Sequence, residues 1–385
     1  MGISFGKRSR RGIVEMCFMD CCKKNENRRN KKISITMGIL LPVLSVALLV
    51  CARKVPGFAQ WYSTNVYSVL VATVGRFFGS FPFSAAEILL YILLAAVMAG
   101  LGWIICGVVK GRNVISRLKT VGTTLYFAAA FLLFLYVVNC GVNYQRDSFA
   151  YSAGLEIEAY SVEELESVCR SLTEDVNRLA DQVHRDECGI MRLVSDEQEE
   201  AVLAMQKLAG TYPELRGYYP QPKGLMVPWI LSVQQISGIY SPFTVEANYN
   251  SGMVDYNIPF TACHELSHLR GFMREEEANF IAYLACMESE SPEFLYSGSL
   301  MGWVYCTNAL YRNDYERWKT VRSELCDVAN IDLKENSLYW DRYDGKTAEL
   351  ADKVNDNYLK ANGQSEGIKS YGRMVDLMIA YYRRY

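Results

Sequence analysis

Three long apolar runs set the terms for this chain. Residues 34–52, 84–109 and 121–141 are each long enough to cross a bilayer as a helix, and their only charge is Glu87, near the start of the second. Lipid offers backbone groups no partner, so a spanning run satisfies them within its own helix. The expected membrane domain is therefore 34–143, with three transmembrane helices. The segment between the first two runs, 57–83, mixes Trp61, Tyr62, Tyr67, Arg76, Phe77, Phe78 and Phe81 at helical spacing. It reads as an interfacial helix lying on the membrane.

Charge orients these runs. Residues 1–143 hold 17 Lys+Arg against 4 Asp+Glu and residues 144–385 hold 23 against 38, so the net charge of −2 divides into +13 and −15. Most of the positive charge lies in residues 1–33 and in the loop from Lys110 to Lys119. The tail lacks the interleaved aromatics of a nucleic-acid-binding segment and abuts an apolar run. Residues 1–33 thus read as a basic cytoplasmic tail. The tail is too long for a signal-peptide n-region, and no small-x-small cleavage site follows the first run. With both basic segments cytoplasmic, three spans put residues 144–385 outside the cytoplasm. The six cysteines of that part, Cys169, Cys188, Cys263, Cys286, Cys306 and Cys326, allow disulfides there without fixing any pairing.

The outer part opens with helices. Ser161-Val162-Glu163-Glu164 is a capping box for a helix running to about residue 184, and Ser195-Asp196-Glu197-Gln198 opens another to about 209. Between 223 and 250 Pro, Gly, aromatic and β-branched residues suggest short strands. Strict alternation from Phe243 to Asn250 predicts a half-buried strand. Helices are expected again over 292–312, 314–326, 347–361 and 369–383.

Between strand and helices lies Cys263-His264-Glu265-Leu266-Ser267-His268, which reads H-E-x-x-H. The chain has three histidines and two of them are here; the third, His184, reads as a surface residue. On a helix, begun by Pro259 in its first turn, His264 and His268 share a face one turn apart. Two imidazoles so placed can bind one Zn²⁺, with Glu265 near enough to take a proton from a water the metal activates. Cys263 points to another side and reads as core. Gly271 can end that helix in a left-handed turn.

A second helical pattern starts at Arg274-Glu275-Glu276-Glu277-Ala278-Asn279. Glu275 and Asn279 are i and i+4, so Glu275 can complete the metal site while Asn279 holds a ligand histidine from behind. Glu276 and Glu277 point about 100° and 200° away on a 3.6-residue helix, which favours Glu275. All three acidic residues also suit a helix N-terminus by charge alone.

This constellation resembles the gluzincin metallopeptidases, whose third ligand is a Glu on a following helix. Asn279 stands where many gluzincins have Asp, and Arg274 where metzincins would have a third His. The wider chain, from about residue 35, resembles a bacterial polytopic membrane family known only as a domain of unknown function, the one numbered 3810. The segments Phe58-Ala59-Gln60-Trp61-Tyr62, Ile239-Tyr240-Ser241-Pro242-Phe243-Thr244 and Val354-Asn355-Asp356-Asn357-Tyr358-Leu359-Lys360 carry that likeness.

The fold these readings imply is α+β and mostly helical, with N-terminal transmembrane helices followed by a gluzincin-like metallopeptidase domain over 144–385 containing a small sheet. The gluzincin likeness implies peptide-bond hydrolysis; the motif alone implies metal-assisted hydrolysis. The likeness also implies that the strand before the motif helix lies at the sheet edge and that extended substrate pairs with it, with an ordinary edge strand as the equal alternative. Tyr358, Tyr371 and Arg373 are candidate oxyanion donors. The implied cofactor is Zn²⁺, and the implied partners are a peptide or protein substrate and the lipid bilayer. No Gly-rich phosphate loop with its Lys occurs, so no nucleotide is expected, and the reading of the basic tail as membrane-flanking leaves no nucleic acid expected. Two other functions fit the same residues: a membrane-anchored sensor or scaffold whose metal site is structural or degenerate, and a zinc hydrolase acting on a non-peptide cell-wall bond.

Overall fold

The structure, a computed structural model, describes residues 38–364 and 373–384. The basic tail, Tyr371 and the start of the first apolar run at 34–37 lie outside them. Within the described residues that run is helical over 38–54 (α1). Among the described residues two helices are long and apolar enough to cross a membrane: α2 (Ala85–Val109), and α3 (Val114–Tyr136), whose run continues through π and 3₁₀ turns to Gln145. Contacts divide the chain into two compact units, one of residues 1–48 and 100–134, the other of 49–99 and 135–385. The second unit takes in the segment 57–83. In the first unit, Tyr126 donates a hydrogen bond to the Gly38 carbonyl (2.7 Å).

The second unit is mostly helical. It comprises α4 (Val162–Ala180), α5 (Glu197–Thr211), α6 (Asn257–Leu269), α7 (Glu275–Glu288), α8 (Pro292–Asn313), α9 (Tyr315–Ser323), α10 (Asp327–Asp341), α11 (Lys346–Ala361) and α12 (Met374–Tyr382). The capping box of α4 forms as its sequence requires, with Glu164 N–H donating to Ser161 Oγ and Ser161 N–H to Glu164 Oε2 (3.2 and 2.8 Å). That helix stops at Ala180, short of the expected 184, and His184 is exposed. The apolar face of α4 packs on α8, where Trp303 Nε1 donates to Thr173 Oγ1 (2.9 Å).

The sheet has three short strands, β1 (Lys223–Gly224), β2 (Gly238–Ser241) and β3 (Glu246–Tyr249), in the order β1-β3-β2. β1 runs parallel to β3, with Lys223 opposite Asn248, and β2 runs antiparallel to it, from Gly238 opposite Tyr249 to Ser241 opposite Glu246. The strand preceding the motif is therefore central, which corrects the edge position expected of it; β2 is the edge. It is also buried along its whole length, not half-buried. The alternating polar residues mislead because they are paired in the interior. Glu246 accepts from Lys223 Nζ (2.6 Å) and from the backbone N–H groups of Ala85 and Ala86 (3.1 and 2.9 Å), so one carboxylate ties the sheet to the first turn of α2. Both partners of that ion pair are almost wholly buried. Removing one would strand the other's charge, at a cost of about 3–5 kcal/mol.

The segment 57–83 also departs from expectation. It is a nearly continuous helical run, from Phe58–Tyr62 to Arg76–Gly79, in which α turns alternate with π turns at Ser63–Tyr67 and Val71–Gly75. The i→i+5 turns widen the helix, so one face returns about every four residues and not every 3.6. Ala59, Ser63, Tyr67, Val71 and Gly75 accordingly form one buried stripe. Tyr67 is fully buried and donates to the Leu269 carbonyl at the end of α6 (3.0 Å). One side of this segment is thus core of the second unit, while Trp61, Val69 and Phe77 on other sides remain exposed.

Candidate metal centre

The H-E-x-x-H motif lies on α6, and every residue of that helix except His264 is buried. The helix lies against β2 and β3 on one side and α7 on another. It ends at Gly271, whose φ of +92° is the left-handed turn its sequence suggested. That turn carries Phe272 back over the last helical turn, where its carbonyl accepts from His268 Nδ1 (2.8 Å). The remaining end carbonyls of α6 also have donors. Tyr67 serves Leu269, and Arg146 Nη1 serves Arg270 (3.1 Å) while its guanidinium stacks on the Phe272 ring, 3.8 Å from the centroid.

His264 is held the same way from α7. Its Nδ1 hydrogen-bonds Asn279 Oδ1 (2.8 Å). With Nδ1 of each ring engaged, each Nε2 is turned toward Glu275, whose Oε2 lies 3.3 Å from His264 Nε2 and 3.6 Å from His268 Nε2. The three ligand-type atoms lie within 4.8 Å of one another, the one such cluster among the described residues. The two imidazoles meet edge to face, with centroids 4.6 Å apart. Glu276 and Glu277 are occupied elsewhere. Glu276 accepts from Gln364 (2.8 Å), and Glu277 from the Phe149 backbone N–H (2.9 Å) and Arg274 (3.2 Å). Cys263 is buried core, and the cysteines among the described residues are unpaired.

Electrostatics follow from burial. Burial disfavours a charged His268, but the Glu275 carboxylate overrides it and moves the imidazole up to about 9. Glu275 is held well below the ordinary carboxylate range: burial opposes this, but the two histidines outweigh it. A cation entering the cluster takes over the role of that shared proton. Glu265 is raised to about 7, first by burial, against the pull of both histidines. Its Oε2 is a buried oxygen with no hydrogen-bond partner. Such an orphan is costly unless something else occupies the space beside it. The donor set of two imidazole nitrogens and one carboxylate, together with the unpartnered Oε2 of Glu265, fits a zinc ion with a further position open.

The cluster lies in a cavity of about 1230 Å³. Edge strand β2 forms one side, and Gly238 allows its close approach, since a Cβ there would stand 2.5 Å from Glu265 Oε1. α8 contributes Met301, Val304 and Tyr305, and α10 and α11 close the far side. Of the candidate oxyanion donors, Tyr358 lines this cavity, Arg373 is exposed and not in its lining, and Tyr371 is outside the described residues. Tyr305 also lines the cavity, and no motif in the sequence marks it. Tyr67 and Arg146, which hold the end of the motif helix, carried no signal beyond Tyr67's place in a period-four stripe.

Residues 62–379 match the model of a family described as "Protein of unknown function (DUF3810)". No curated protein and no solved structure matches the chain.

Proposed function

The chain belongs to this family, and we propose that it is a membrane-anchored zinc metallopeptidase of gluzincin-like design, with its catalytic part outside the cytoplasm. The observation that carries the reading is the convergence of His264, His268 and Glu275 on one point, with Glu265 Oε2 buried and without a hydrogen-bond partner. His264, His268 and Glu275 would hold the zinc, and Asn279 and the Phe272 carbonyl keep the two imidazoles turned toward it. Zinc, when bound, supplies Lewis-acid polarisation of a scissile carbonyl and of the attacking water.

The chain's own residues do the rest. Glu265, poised near neutrality, accepts the proton of the attacking water and returns it to the leaving amine. Burial of Glu265 keeps bulk water from competing for that proton. Of the three candidate oxyanion donors, Tyr358 is the one among the described residues that lines the cavity. β2, at the edge of the sheet, offers an extended substrate a strand to pair with. The topology that goes with this reading has residues 1–33 in the cytoplasm and the helices at 34–52, 84–109 and 121–141 in the membrane.

Glu265→Gln tests it. The variant should keep its zinc and lose about 10²–10⁴-fold in kcat on a peptide substrate. Full activity in a zinc-loaded Glu265→Gln chain would remove the general-base assignment. Hydrolysis of cell-wall material but no peptide by the unmodified chain would move the substrate class.

A further inference from the structure

The wall opposite the metal cluster is unusual. α11 is amphipathic, and Leu350, Val354 and Tyr358 follow one another at i, i+4 and i+8 along its apolar side. All three line the cavity, yet Leu350 and Val354 are 63% and 61% exposed. Trp229, Ile239 and Phe243 also line the cavity and are also exposed. Large exposed apolar side chains thus line the same cavity as Glu265 and the two histidines. Apolar patches left uncovered in this way mark interaction sites. The space exceeds the roughly 300–1000 Å³ of a small-molecule pocket.

Two further observations say what occupies it. The floor beside the cluster is edge strand β2, whose outer backbone groups suit an extended peptide. The remaining wall is the end of the apolar run Val114–Gln145, through Tyr136, Cys140 and Tyr144. α11 leads to that same place: Asn362, just past its end, accepts from Tyr136 (2.6 Å), and the Ala361 carbonyl accepts from Arg53 (3.2 Å), just after the first apolar run. The groove is therefore continuous with the points where two apolar runs end.

We infer that the groove takes an extended apolar peptide segment presented at the membrane face, the flank of a lipid-anchored or membrane-embedded stretch. Large apolar side chains of that segment rest on Leu350 and Val354 on one side and on Trp229, Ile239 and Phe243 on the other. The assignment deepens the peptidase reading and rests on it for the fate of the bound segment, but the groove itself is tested by binding.

The experiment uses the full chain carrying Glu265→Gln in lipid nanodiscs. The probes are two fluorescent peptides with the same palmitoyl anchor, one with a Leu/Phe/Ala segment beginning about two residues, or roughly 7 Å of chain, from the anchor, the other with Ser/Asn in its place. The apolar peptide should bind at least about tenfold more tightly, and Leu350→Asp and Val354→Asp should each remove most of that difference. Both positions are exposed, and Leu350→Ala serves as a milder second variant. Equal binding of the two peptides, or discrimination untouched by all three variants, overturns the proposal. So does binding that appears only when the spacer is lengthened to about twelve residues, because the groove would then lie away from the membrane face. Zinc content of the same preparation separates the two claims. Apolar discrimination without zinc keeps the groove and removes the peptidase; zinc without discrimination does the reverse.

Discussion

α6 and α11 face each other across one cavity and are built on opposite plans. All of α6 but His264 is buried, between the sheet and α7. On α11 only Ala348 and Leu359 are buried. A helix enclosed on every side holds its side chains in single positions, as metal ligands require; one covered on a narrow strip leaves an apolar face for something else. The contrast separates fixed chemistry from open recognition. It also explains why the ligand side carries the buried polar network of Asn279, Glu277, Arg146 and Tyr67, while α11 carries surface pairs such as Lys360–Asp356.

Substitutions on the two sides sharpen the contrast. Phe280 of α7 is fully buried and meets Phe149 and Tyr381 edge to face, with centroids 6.1 and 6.0 Å away. Phe280→Ala should cost about 3–5 kcal/mol, read as a large fall in the thermal midpoint. A shift near zero would break the claim that the ligand helices are the rigid part. Asn279→Ala removes the group that orients His264 and should weaken zinc binding about 10–100-fold in a chelator competition, with the fold retained. Unchanged affinity would mean that packing alone holds that ring. Leu350→Ala on α11 should leave stability within about 0.5 kcal/mol, because the side chain has little cover to lose. A loss of several kcal/mol would show that the α11 face is already packed, and the comparison would fail.

What could be read beforehand follows the range of the interactions. The helices bearing the motif and the three glutamates depend on local spacing and caps, and they lie where spacing put them. Glu275 stood out from its neighbours because it alone pairs with Asn279 at i+4; the structure gives Glu276 and Glu277 partners 88 and 128 residues away, which no local rule contains. The sheet order was illegible for the same reason. Glu246 and Asn248 look solvent-facing in the sequence, and the Lys223 and Ala85 groups that allow Glu246 inside are 23 and 161 residues distant. The stripe of 59, 63, 67, 71 and 75 was hidden by the assumption of a 3.6-residue period. α10 went unread because its buried set is only Ala329, Asp332 and Tyr339, too sparse for an apolar pattern. Asp332 is inside because it accepts from Arg185 (2.9 Å), the Met191 backbone N–H (2.9 Å) and Tyr296 (2.5 Å).

The most direct measurement is the zinc content of the purified full chain beside its His268→Ala variant. The full chain is needed because Tyr67, which braces the end of α6, would be missing from a fragment beginning at 144. The account predicts about one zinc per chain, and loss of affinity in the variant beyond the roughly 10–100-fold expected for a supporting residue. A folded, metal-replete preparation that holds no zinc, or a variant that holds it as tightly, would contradict it.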